Sequence, residues 1–523
     1  MVLLLEIVIF KKLSFNKLVK TFASNLEIIV LVIVAFNLFL ASWNFINGDL
    51  LLTAEVARDF LILEEIEQKK FILIGPRSGI GGVFHGPLWA YLNYPIYYLS
   101  NADPIAVGWF WILIVVLLLF AYFFIVKDLF GKTPAYFYVV LMSLFFATQT
   151  KYFIHEHGLI FIAPFLFWSL LKYTEKFNPK FLILSVLLTG LLIQFGISMA
   201  TLIPITFTYV FLYLLLKRRS RLYHLGLFIF LLIPLSTFIL FDLRHDFLQF
   251  NNIQIYLAGR ATAAVDLPKF IANRVDFLAN AAFLFSTSKH VGNSFILILF
   301  SALLAFSYKS TKFRRHYILF IFLVVSHYGS TLLNKGGLLL YHTFIFTPLA
   351  FMNLASFTVG KYKTTALFLV VALIIANQIG VIETLVRDYS QADKIEDSWR
   401  NLKAISQVAF EGKEPEFGYF VYSPDKLAYE AKFAMIYQTK RHLDKKAVYF
   451  KKKPVTYIVS APPPPEDPYV SQRYWREQQM NINVEPIFRK EFPNGYIVER
   501  FELSGEELLK PFSEEEDSGL WFR

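Results

Sequence analysis

Three charged residues near the start of the chain are spaced to act together. Glu55, Arg58 and Asp59 stand at i, i+3 and i+4, so on a helix they share one face. A carboxylate in a partly dry pocket can take a proton from an attacking hydroxyl. Arginine or lysine beside it can hold a phosphate, arginine through its planar fork. Phosphate leaves readily once its charge is neutralised. Just downstream the chain turns glycine-rich. Gly75-Pro76-Arg77 is followed by Gly79, Gly81, Gly82, His85, Gly86 and Pro87, which is turn chemistry. A charged helix joined to an irregular glycine loop has the composition of a site rather than of a linker. The combination suits transfer from a lipid-phosphate donor.

Further ionisable residues fall in comparable places. His155-Glu156-His157 lies between two apolar segments. Asp242, Arg244, His245 and Asp246 close another in FDLRHDF, and Lys335, Tyr341 and His342 lie between two more. Ionisable residues at membrane borders are functional candidates by default. Each also has a plain structural reading. Arg244 and Lys335 are placed to snorkel to lipid head groups. Glu55 and Arg58 make an ordinary helix-surface pair. Glu64, Glu65 and Glu67 read as the solvated face of the loop helix. His155 and His157 at i, i+2 lack the spacing of a helical metal pair, and no HExxH occurs.

The elements that must position these residues are membrane helices. Of 523 residues 56% are hydrophobic and only 17% charged, too little charge for a soluble domain of this length. The net charge of +11 is scattered in short clusters between apolar segments, which argues against nucleic acid as a partner. There is no cysteine, hence neither disulfide framework nor thiolate chemistry. Apolar segments that approach the roughly 20 residues of a span recur at 24–45, 104–126, 134–150, 158–173, 181–197, 200–216, 224–241, 293–308, 317–333, 339–358 and 364–382. Residues 1–23 read as a cytoplasmic amphipathic lead-in, since the charge follows the apolar run and no small-residue cleavage site appears.

Lysine and arginine crowd alternate loops, as at Lys11, Lys12, Lys17 and Lys20, at Lys217, Arg218, Arg219 and Arg221, and at Lys309, Lys312, Arg314 and Arg315. The intervening short loops hold almost none, with Lys151 and Lys335 the exceptions. The positive-inside rule then puts the N-terminus in the cytoplasm of a multi-pass cell-membrane protein. Loops 46–103 and 242–292 and the C-terminal region lie outside. Charge rises after about Glu383, and 383–523 read as a small extracytoplasmic α/β domain with helices near 391–410 and 425–442. Strands are expected at 417–422 and 455–460. A hairpin is expected at 486–492 and 496–502 around Pro493-Asn494-Gly495.

Glu55-Val56-Ala57-Arg58, followed by His85-Gly86-Pro87-Leu88-Trp89, resembles the acidic D-x-x-R helix and His-Pro-Pro-Leu-like turn of polytopic GT-C glycosyltransferases. That superfamily includes the dolichyl-phosphate-mannose protein mannosyltransferases and the lipid A aminoarabinose transferases. A second acid opening the fourth span is matched in position by Glu156, and the likeness covers about residues 20–380. Two departures stand out, Glu55 for the family's aspartate and Gly86 for its first proline. The resemblance implies an inverting transfer from a polyprenyl-phosphate sugar to a glycan, lipid or protein acceptor. It implies Glu55 and Glu156 as catalytic carboxylates, with Glu55 the base. Arg58, Arg77, Arg244 and Lys335 are implied for the donor phosphate. Asp59, His85, His155, His245, Tyr341 and His342 are implied for sugar or acceptor. No cofactor is required and no metal is expected, since cationic side chains do a metal's work. The rival reading is a polytopic transporter or lipid flippase, which would gather its ionisable groups near the bilayer midplane instead.

Overall fold

A computed structural model describes residues 25–262, 266–280, 293–308, 312–332, 338–425, 427–463 and 471–514. The expected lead-in at 1–23 and Lys335 lie outside the described residues. Each apolar segment coincides with helix. The first half of the chain runs α1 (Leu26–Ile46), α2 (Ala54–Lys69), α3 (Leu88–Leu99), α4 (Pro104–Phe130), α5 (Lys132–Gln149), α6 (His157–Lys176), α7 (Pro179–Phe195), α8 (Leu202–Lys217) and α9 (Leu232–Arg244). Two helices, α10 (Leu248–Thr262) and α11 (Leu267–Asn280), occupy the second long loop. They are followed by α12 (Asn293–Ser307), α13 (Arg314–Thr331), α14 (Phe346–Ser356) and α15 (Lys363–Ser390).

Six helical stretches among the described residues are long and apolar enough to cross a membrane: α1, α4, α6, Ile197–Lys217, Arg219–Arg244 and α15. Pro179–Phe195, Ile298–Ser307 and Phe346–Val359 are apolar but shorter. The chain is an α-helical polytopic membrane protein. In lipid the helices gain little from apolar burial, so small and polar contacts help to fix their packing. Asn37 of α1 donates to Ser143 of α5 at 2.9 Å, and the hydroxyls of Ser169 and Ser185 join α6 to α7 at 2.8 Å.

The rise in charge at Glu383 falls within α15, which continues to Ser390. The small α/β domain that follows contains α16 (Trp399–Gln407), β1 (Glu416–Tyr422), α17 (Tyr429–Arg441), β2 (Lys446–Tyr449), β3 (Val455–Ser460), β4 (Phe488–Glu491) and β5 (Ile497–Glu502). The strand order is β2-β1-β3-β5-β4. β1 pairs in parallel with β2 and β3, while β5 runs antiparallel to β3 and β4. The expected hairpin is β4–β5, turned by Gly495 at φ +88°. β2, four residues at the sheet edge, is an element the sequence pattern missed.

The domain is bound to the membrane part at two places. Leu52 N–H donates to Asp397 O at 2.7 Å and Trp399 N–H to Leu50 O at 2.9 Å, tying the segment after α1 to the start of the domain. Beside this seam α2 is wedged beneath α17, with Phe60 and Phe433 ring centroids 5.0 Å apart. Between Val56 and Ile66 every residue of α2 except Arg58 is buried. This corrects the reading of Glu64, Glu65 and Glu67 as a solvated face. Glu64 accepts from the Tyr97 hydroxyl and pairs with Lys440 of α17 at 2.6 Å, Lys440 also reaches Glu67, and Glu65 pairs with Lys69 at 2.7 Å. Glu64 and Glu67 dock the domain through Lys440, because a helix covered on both sides has no solvated face to give them.

Candidate active site

The charged helix is oriented by its own ends. α2 carries Glu55 in its first turn and Lys69 in its last, the polarity its backbone dipoles favour. Arg58 and Asp59 face the loop between α5 and α6. Arg58 Nη2 is 3.4 Å from Asp59 Oδ1 and 3.5 Å from His155 Nδ1. The other Asp59 oxygen accepts the His155 backbone N–H at 3.3 Å and lies 3.4 Å from that ring's Nδ1. Burial pushes the Asp59 carboxyl up, but the charges of His155 and Arg58 outweigh it and hold the group below its ordinary range.

Glu156, at the mouth of α6, is also buried, and its Oε2 is 3.2 Å from His155 Nδ1. Burial raises its carboxyl, and His155 and Arg58 only partly offset that. Two carboxyls bordering one imidazole are thus driven in opposite directions, Asp59 toward the anion and Glu156 toward the acid.

The glycine loop delivers His85 to the same place. Gly75 N–H donates to His85 O at 2.8 Å and His85 N–H to Pro76 O at 2.9 Å, closing a short hairpin. A Cβ on Gly75 would meet Gly86 O at 2.3 Å. Gly86 N–H donates to Gln194 O at the end of α7 at 2.9 Å, and a Cβ there would lie 1.9 Å from Gln194 Oε1. The departure from proline therefore has a local cause, since proline has neither that N–H nor the room. His85 Nδ1 accepts from Ile197 N–H at 3.2 Å, which assigns the ring proton to Nε2. The ring meets His155 edge-on with centroids 4.4 Å apart. Burial, then the positive neighbours His155 and Arg58, hold His85 well below the ordinary imidazole range, so it is neutral.

The FDLRHDF block braces this loop from outside. Phe241 packs on Phe84 at 5.6 Å, and Phe84 N–H donates to Gln249 Oε1 at 3.0 Å. Asp242 accepts from Gln249 and Phe250 N–H. His245 donates from Nδ1 to Phe241 O at 2.8 Å and stacks on that ring, and both Arg244 and His245 are exposed. Tyr341 and His342 belong to the short turn before α14. The charges of Glu156, Arg58 and Glu55 reach the Tyr341 hydroxyl, and His342 Nδ1 accepts from Leu339 N–H at 3.1 Å. Glu55 is exposed, and its charge also bears on Asp397 of the domain. Arg77 is exposed too, and its charge, like that of Arg58, reaches the Tyr429 hydroxyl of α17.

The structure thus joins the buried Asp59, His85, His155 and Glu156 with the half-buried Arg58 in one cluster, sets Glu55 and Tyr341 at its border, and leaves Arg244 and His245 on the brace. Gln194 and Tyr429 were not legible in advance, because only the fold brings α7 and α17 to the cluster. Among the described residues, Arg58 Nε and His155 Nε2 are buried without a hydrogen-bond partner. One ligand atom each from His85, His155 and Glu156 lie within 4.8 Å of one another, a donor set of the kind a divalent cation takes. His157 is not in this set, since it turns to Gln149 Oε1 at 3.2 Å. The Arg58 guanidinium works against a cation here.

No protein-family model matches the sequence, and no curated protein does. Among solved structures the chain is similar to ArnT from Cupriavidus metallidurans bound to undecaprenyl phosphate, with TM-score 0.57 and 11% identity over 94% of this chain and 100% of that one. It also matches the apo state of that protein at TM-score 0.44 and 11% identity, over 91% of this chain and 98% of that one. The Archaeoglobus fulgidus oligosaccharyltransferase in complex with Zn and sulfate gives TM-score 0.44 and 12% identity over 82% and 67%. At this identity the ArnT likeness shows a shared fold.

Proposed function

We propose that the chain is a membrane glycosyltransferase that moves a sugar from a polyprenyl-phosphate donor to an acceptor hydroxyl on the outer face, with inversion. The observation that carries the reading is the cluster in which the half-buried Arg58 meets the buried Asp59, His155, Glu156 and His85. It lies beneath the α/β domain, in a fold shared with an ArnT whose structure holds undecaprenyl phosphate. Arg58 takes the donor phosphate, and Asp59 and His155 hold the guanidinium in place. Glu55, an exposed carboxylate at the border that makes no hydrogen bond among the described residues, takes the acceptor proton. The acceptor oxygen bonds to the anomeric carbon as the bond to phosphate breaks, and its electrons leave with the prenyl phosphate. Glu156 and His85 face sugar or acceptor. The charge bias of the loops puts this end of the helices, with the domain, outside the cell.

The test is to supply the purified protein with a panel of polyprenyl-phosphate sugars and measure release of polyprenyl phosphate. Cleavage of a subset of donors is expected. If no donor is cleaved and the protein moves lipid-linked sugar between vesicle leaflets, the flippase reading replaces this one.

A further inference from the structure

A second polar cavity lies apart from the cluster, at the seam between the domain and the ends of α1 and α15. It is a partly open recess of about 30 Å³, lined by Trp43, Asn44, Lys151, Asp388, Tyr389 and Arg400, among others. Trp43 and Tyr389 meet edge-on with centroids 6.3 Å apart. Phe36, Phe39 and Ile46 of α1 and Ile379, Ile382 and Val386 of α15 are exposed on the spans that lead up to it. An aromatic pair where two apolar spans end marks head-group depth.

The polar atoms of this cavity are unevenly committed. Asp49 is occupied, accepting from Leu50 N–H at 2.8 Å, the Ser398 hydroxyl at 2.8 Å and Arg400 N–H at 3.1 Å. Lys151 and Asp388 neutralise each other at 2.9 Å. Lys151 is one of the two lysines that depart from the loop charge bias. The Arg400 guanidinium, which is exposed and whose charge bears on Asp49, the Asn44 amide and the exposed Tyr389 hydroxyl make no hydrogen bond among the described residues. Three uncommitted donors, one of them a permanent cation, line one cavity at head-group depth. A phosphate supplies acceptors for all of them.

We propose that this cavity binds the phosphate head group of a membrane lipid, with Arg400 as its main ligand and the lipid chains lying along α1 and α15. The site shares no residue with the transfer cluster, so its failure would leave the proposed function untouched.

The test is native mass spectrometry of the purified full chain, titrated separately with phosphatidylglycerol, polyprenyl phosphate and inorganic phosphate. With phosphatidylglycerol one lipid should bind to the wild-type chain; the polyprenyl phosphate arm is run in the Arg58→Ala background, so that the proposed donor site does not contribute, and one lipid should bind there too. Arg400→Ala should weaken it about tenfold or more, as loss of a charge-assisted contact does, while Arg400→Lys should recover part. The paired Lys151→Gln/Asp388→Asn variant, which leaves no lone charge, should weaken binding less than Arg400→Ala. Whether phosphatidylglycerol or polyprenyl phosphate binds the tighter identifies the lipid. Equal affinity of folded Arg400→Ala and wild type, no retained lipid in either lipid arm, or binding of inorganic phosphate as tight as that of lipid would overturn the proposal.

Discussion

Gly86→Ala asks whether the approach of the glycine loop to α7 sets the geometry of the cluster. The added Cβ would lie 1.9 Å from Gln194 Oε1, 2.5 Å from its Cδ and 2.8 Å from its Cα. The amide has little freedom to withdraw, because its Nε2 donates to Pro234 O and, at 2.9 Å, to Thr237 Oγ1. The Cα is backbone and has none. Overpacking of this kind costs about 1–3 kcal/mol, and each amide hydrogen bond broken to relieve it costs about 1 kcal/mol more. The alternative relief is for the loop to move by about 1 Å, which carries His85 away from His155 and should cost roughly 10²-fold in turnover. Both outcomes are read together, by thermal unfolding in detergent and by single-turnover cleavage of the donor. The double variant Gly86→Ala/Gln194→Ala removes the two closest contacts and should recover most of the loss, a coupling that a double-mutant cycle measures. A Gly86→Ala protein with normal turnover and normal unfolding would refute the argument that this contact positions the site.

Three further outcomes follow from the structure. Burial, with Asp397 and Asp425 nearby, pushes the Glu430 carboxyl up to about 8, so the fold favours its protonated form. The stability it contributes is full below about 4.5 and is lost as pH rises toward 8, so Glu430→Gln should unfold at higher temperature than wild type at pH 8 and alike at pH 4. Transfer should continue in EDTA, because Arg58 already places a cation beside His155; loss restored by added Mn²⁺ or Zn²⁺ would instead assign a metal to His85, His155 and Glu156. An impermeant thiol reagent on intact cells should label Leu443→Cys in the domain and not Ser220→Cys, and the reverse would invert the topology.

Much of the frame was legible because lipid imposes a strong pattern. Runs such as 104–126 and 364–382 have no other stable use in a chain of this composition. Arg58 and Asp59 were legible as a charged helical face, and their partners were not. His155 lies nearly a hundred residues away, and its contact with His85 requires both the α5–α6 loop and the glycine hairpin to be folded. The i, i+2 spacing of His155 and His157 argued against a shared site for those two, and the structure turns them to different partners. It gave no hint that His155 would find His85. Glu64 and Glu67 were misread for a similar reason, since their partner Lys440 belongs to a helix some 370 residues on that covers what would otherwise be a wet face; Glu65 is buried as well and pairs within α2 with Lys69. Gly86 is the converse case. It looked like a loss of proline, and the cause is Gln194 on α7.

The central claim is that Glu55 takes the proton and Arg58 holds the donor phosphate, and one paired kinetic measurement addresses it most directly. Donor affinity and single-turnover rate are measured for wild type, Glu55→Gln, Arg58→Ala and Glu156→Gln. Glu55→Gln should lower turnover by roughly 10²–10⁴-fold with donor affinity little changed, whereas Arg58→Ala should weaken donor binding as its charge-assisted contact is lost. Normal transfer by Glu55→Gln together with a dead Glu156→Gln would contradict the assignment and move the base to the carboxyl at the mouth of α6.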